Sequence, residues 1–105
     1  ASLSGAILLE AILDEAKLKL ANLSDANLGG ANLHSADLRL ANLTKAGLLK
    51  ANLATANLEE ANLEGADLEA AILTGAILKG AHLTDTTMPD GKKKGLFTNL
   101  KKFTG

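Results

Sequence analysis

The sequence predicts an all-β solenoid, a chain wound into a coil with a turn every five residues. Three observations predict it. Leu recurs at every fifth position from Leu3 to Leu83, Ala stands two residues before each Leu from Ala1 to Ala81, and residues suited to turns collect in the two positions that follow each Leu. Self-similarity at a short fixed period marks a solenoid built from one repeated unit.

The period excludes the two ordinary elements. An α-helix turns about 100° per residue, so a five-residue repeat would spread the leucines around every side. A straight strand alternates its side chains with a period of two, so an odd repeat would send successive leucines to opposite faces. The chain must therefore bend once per repeat. Ala and Leu, two residues apart, share the inner side of a short extended segment. The following pair makes the bend, where Gly5, Gly29, Gly30, Gly65, Gly75 and Gly80 occur with Ser24, Asp25, Ser35 and Asp85. Small Ala suits places where the walls approach, and Leu fills the centre. Seventeen Ala-x-Leu units follow one another, and Thr86-Thr87-Met88 is an altered eighteenth.

The residue between Ala and Leu is Asn or Asp at Asn22, Asn27, Asn32, Asp37, Asn42, Asn52, Asn57, Asn62 and Asp67. Ala-Asn-Leu-x-x and Ala-Asp-Leu-x-x resemble the signature of the pentapeptide-repeat proteins, and the resemblance runs from residue 1 to about 90. It implies a right-handed quadrilateral β-helix with four repeats per coil, hence about 18 pentapeptides in about 4.5 coils. Departures at Ser2, Ile7, Ile12, Lys17, Gly47, Ile72, Ile77, His82 and Thr87 lie mostly toward the two ends. The family is especially abundant in cyanobacteria, which makes such a source the expectation.

The chain divides into a repeat domain over 1–88 and a basic tail over 89–105. The first carries six Lys/Arg against eleven Asp/Glu, and the second five Lys against Asp90 alone. Pro89-Asp90-Gly91 reads as the turn that stops the repeat. Leu96, Phe97, Leu100 and Phe103 then have the spacing of a short amphipathic helix, expected to lie as a cap over the last coil. The alternative use of this helix, preceded by Lys92-Lys93-Lys94, is association with an acidic membrane surface. The chain begins in register at Ala1. Its first coil edge is therefore expected to need cover, from a longer protein to which this module belongs or from a second copy stacked end to end.

With twenty residues per coil, residues twenty apart share a column. Asn22, Asn42 and Asn62 then stack, as do Asn32 and Asn52, and their amides are expected to form hydrogen-bonded ladders. Lys19, Arg39, Glu59 and Lys79 share another column, which puts Glu59 between cations, and Lys17 lies beside Asp37. Among the outward residues, Leu20 and Leu40 are stacked at one corner. Leu9 and Leu49, with Ile7, lie on another face with Gly29 between the two leucines. These four leucines are the candidate surface for a protein partner.

Catalytic and cofactor chemistry is not expected. His34 and His82 fall on different faces, no Cys is present, and no serine has a base beside it. The carboxylate pairs Asp14–Glu15 and Glu59–Glu60 sit on convex corners, and a filled solenoid is expected to offer no pocket. No metal or cofactor site is therefore assigned. No apolar run is long enough to cross a membrane, and a cytoplasmic location is the expectation. The expected role is a non-catalytic scaffold or protein-interaction module. Some family members imitate duplex DNA to bind DNA gyrase, which is the alternative. Here the charge is small, Glu59, Glu60, Glu64 and Glu69 ring one coil instead of forming a stripe, and Leu replaces the usual central Phe. Direct nucleic-acid binding is not expected.

Overall fold

A computed structural model describes residues 2–93 and 100–105. Parallel bridges join each described residue between Ala and Leu to its counterpart twenty positions on, from Ser2–Asn22 to Asp67–Thr87. Twenty residues therefore make one coil, and the chain turns four times per coil. The four sides carry residues 2–5, 6–10, 11–15 and 16–20 of the first coil, and every later coil repeats them. The molecule is elongated with an equal cross-section, 35 × 22 × 22 Å.

Each side contributes a single bridging residue and no continuous strand. Three residues lie between turns, too few for an extended ladder on one side. At every corner the N–H of Ala donates to the carbonyl of the preceding Leu, as in Ala51 to Leu48 at 3.0 Å. Of the two turn positions, only the second takes the left-handed conformation, which is the type II pattern. Gly fits it, but twelve other residues adopt it too, including Leu20, Leu40 and Thr55 at φ 66°, 60° and 57°. Gly29, in the first turn position, does not need this freedom.

The backbone donors of one repeat can be followed completely. In residues 51–55, Asn52 N–H bonds back to Ala31 O, and Leu53 and Thr55 N–H bond forward to Ile72 O and Thr74 O. Ala51 closes the turn, and Ala54 N–H donates to Asn52 Oδ1 at 3.0 Å. Five donors find five acceptors, as an enclosed backbone requires.

The Asn side chains thus act differently from the ladder expectation. The stacked columns exist, with Asn22, Asn42 and Asn62 bridged in series. Yet each Oδ1 turns within its own repeat to the N–H two residues on, at 2.9–3.2 Å from Asn22 through Asp67. This is an Asx turn, and it leaves no amide-to-amide bond between coils among the described residues.

The core is a stack of Leu and Ala. Every Leu from Leu23 to Leu68 in repeat register is 0% exposed, and Met88 takes the last Leu place at 1%. Thr86 replaces Ala and stays buried because its hydroxyl donates to Leu63 O at 2.7 Å. The expected Ala-and-Leu interior does not extend evenly to the first coil. Leu3 is 36% exposed, and Leu8, Leu13 and Leu18 are only half-buried, since packing reaches them from one side alone.

Over the last coil, Lys93 forms an antiparallel bridge with Thr87, and Met88 N–H donates to Lys92 O. Helix α1, Lys101–Thr104, follows Leu100. Leu100 and Phe103 pack against the core, and Gly75 N–H donates to Thr104 O. Lys102 Nζ reaches Asp90 Oδ2 at 3.0 Å and lies 5.0 Å from the centre of the Phe103 ring. The carboxyl of Asp90 is lowered by the N–H of Lys92 and by the Lys102 ammonium. Leu96 and Phe97, the other two residues of the expected cap, lie outside the described residues.

Candidate functional site

Within the repeats, the leucines outside the core register occupy two opposite sides. Leu20 and Leu40 end the fourth side of coils one and two, at adjacent levels. Their left-handed φ directs the side chains away from the interior, and they are 68% and 46% exposed. Arg39, beside Leu40, folds back on Asp37, with Nε to Oδ1 at 2.8 Å and Nη2 to Oδ2 at 2.7 Å. That forked hydrogen bond holds the Asp37 carboxyl down at about 2 and raises the Arg39 guanidinium in turn.

The columns are as expected, with Lys17 bridged beside Asp37 and Glu59 close enough to act on the Arg39 guanidinium, but the direct partner of Asp37 is Arg39 in its own repeat. A two-residue spacing puts both groups on the outer side of one short segment. The Asx turn, through Arg39 N–H to Asp37 Oδ1, fixes the carboxylate where the fork can reach it.

On the second side, Leu9 and Leu49 stand one coil above and below Gly29. With no side chain between them, they wall an open groove of about 470 Å³ whose floor is Gly29–Gly30 and whose corner is framed by Glu10 and Lys50. The expectation of no pocket therefore fails on the outer surface, although the interior is filled. A Cβ on Gly29 would meet Leu9 Cδ2 at 3.2 Å and Asn27 Oδ1 at 3.3 Å. The leucine pair with Gly29 between was legible in the sequence; the framing by Glu10 and Lys50 was missed, and their positions in the column of Gly30 were the signal.

The same groove has two unused backbone donors. Ile7 and Gly47 stand where Asn or Asp would accept from the residue two on, so the N–H groups of Leu9 and Leu49 have no acceptor among the described residues. Gly29 N–H, between them, is bonded to Asn27 Oδ1 at 3.1 Å.

The histidines remain apart. His34 Nδ1 lies 3.2 Å from Asp14 Oδ1 on the adjacent coil, both about half exposed, while His82 bridges Asn62 on another side. Among the described residues, no group of His, Asp and Glu is arranged to hold a metal ion, and no helix is long and apolar enough to cross a membrane.

The comparisons with known proteins agree with this geometry. The family model for pentapeptide repeats matches residues 1–34, 21–59 and 51–88, in eight copies. The chain is a pentapeptide-repeat protein. Among solved structures, this pentapeptide-repeat protein is similar to one from Nostoc PCC 7120, at 33% identity and TM-score 0.75, over 91% of this chain and 79% of that one. It is also similar to one from the Arabidopsis thaliana thylakoid lumen, at 33% identity and TM-score 0.65, over 81% of this chain and 59% of that one. No match was found among curated proteins.

Proposed function

We propose that this pentapeptide-repeat domain is a non-catalytic scaffold that presents its outward leucines to a protein partner. The winding is right-handed, as the family resemblance implies. The observation that carries the reading is the exposure of Leu9, Leu20, Leu40 and Leu49 on walls whose turns and coil-to-coil contacts are hydrogen-bonded repeat after repeat. A rigid wall fixes the position of each side chain, so little ordering entropy is lost on contact. Leu100 and Phe103 serve the fold in this reading, as part of a lid over the last coil.

A photo-crosslinking residue placed at position 40, with position 84 as control, tests the proposal in extract of the source organism. Position 40 should yield discrete protein adducts that Leu20→Lys removes, and position 84 should not. Equal, diffuse labelling at both positions would overturn it.

A further inference from the structure

We propose that the two apolar features complement each other, so that the Leu20–Leu40 corner of one molecule seats in the Leu9–Leu49 groove of a second copy. This rests on reading these leucines as a protein contact, and it names the partner. The shapes correspond level by level. Leu40 protrudes at the second coil, and the second coil is where Gly29 and Gly30 leave the notch.

The charges choose the orientation. With the two coil axes parallel and Leu40 opposite Gly30, Lys19 faces Glu10 at the first coil. Glu60 faces Lys50 at the third, and Lys79 faces Glu69 at the fourth. Three levels pair opposite signs. Reversing one molecule about the same Leu40–Gly30 contact sets Lys19 against Lys50 and Glu60 against Glu10. Like charges facing each other oppose that arrangement, so the complementary pattern selects parallel axes. At the third level the free N–H of Leu49 adds a donor beside Lys50 for an incoming carboxylate, such as that of Glu59.

The corner and the groove lie on the fourth and second sides, which are opposite walls of a four-sided coil. The contact is therefore heterologous and does not close on itself, so copies add side by side in an open row. One corner against one groove is smaller than a stable dimer interface, which makes the association weak and dependent on concentration.

Sedimentation velocity of the whole chain, from micromolar to millimolar concentration, tests this. The sedimentation coefficient should rise with concentration and fall back with added salt. Leu40→Gly, which suits the left-handed backbone there, should stay monomeric throughout. A groove variant, Lys50→Glu, and a corner variant, Glu60→Lys, each leave one like-charge clash whichever way the axes run, and each alone should associate more weakly than the wild type. Mixing the last two restores matched charges at both contacts and should restore association. A wild-type chain that stays monomeric would overturn the inference, as would association that Leu40→Gly leaves unchanged, the result expected of end-to-end stacking. If crosslinks from position 40 reach a different protein while self-association is absent, the self-contact fails and the scaffold reading stands.

Discussion

Arg39 and Asp37 form a two-point ion pair within a single repeat, while Asp37 also accepts the backbone N–H of Arg39 at 3.2 Å. One carboxylate thus closes an Asx turn and binds a guanidinium. The consequence for pH follows from the lowered Asp37 carboxyl, about 2 against an ordinary 3.8. A depressed folded-state value stabilises above the unfolded value and is lost as pH falls through the folded one. Asp37→Asn keeps the turn acceptor but removes the charge. It should therefore unfold at lower urea than the wild type at pH 7. The gap should close between about pH 4 and about pH 2, and it should be small because both groups are partly solvated. A gap independent of pH would show that the carboxylate charge contributes nothing.

Leu20 holds a left-handed backbone, φ 66°, that side chains with a Cβ disfavour. Leu20→Gly relieves that strain and removes an exposed apolar side chain. Offset by the greater freedom of Gly in the unfolded chain, it should raise stability by about 0.5–1 kcal/mol. Thermal melts read the change. A lower melting temperature would mean that Leu20 packs more usefully than its 68% exposure implies.

The coil was legible because each level of the pattern pointed the same way. Ala-x-Leu spacing demanded a bend, the following pair supplied it, and the family's twenty-residue ruler placed Asn42 between Asn22 and Asn62, where the bridges are found. The role of Asn was not legible. From a given column its Oδ1 can reach either the amide of the next coil or the N–H two residues on, and spacing alone does not choose. The Arg39–Asp37 fork was not legible for the same reason, since Glu59 across the coil and Asp37 along the chain are both near. The groove was half legible: Leu9, Gly29 and Leu49 stood out, but its depth depends on the absence of a Cβ between two rotamers.

Gly47 stands where Asn accepts in neighbouring repeats, and a Cβ there would meet nothing nearer than Asn27 Oδ1 at 3.5 Å. Gly47→Asn should supply the missing acceptor for Leu49 N–H and raise stability by about 1 kcal/mol. Asn57→Ala, which strips the acceptor from Glu59 N–H, should lower it by a similar amount, ~1 kcal/mol. Urea midpoints of both variants check the pair. If Gly47→Asn is neutral while Asn57→Ala destabilises, the Leu49 donor is already well hydrated.

The burial gradient along the axis makes the last prediction. Leu43 is 0% exposed between filled coils, whereas Leu3 is 36% exposed at the first. Truncating the central residue leaves a cavity that the neighbouring coils cannot collapse, so Leu43→Ala should cost about 2–5 kcal/mol. Leu43→Lys adds an unpaired buried charge and should abolish the cooperative melt. Leu3→Ala forfeits only a partly solvated contact and should cost under ~1 kcal/mol, and Leu3→Lys should still fold, with its ammonium in water. In a one-dimensional stack each coil is stabilised chiefly by its two neighbours, so the end coil fails first and at least expense to the rest. Hydrogen exchange would read this directly. Amides of Leu8 and Leu13 should exchange well ahead of those of Leu43 and Leu53, and equal protection at both places would mean that the first coil is held by something besides its own neighbour.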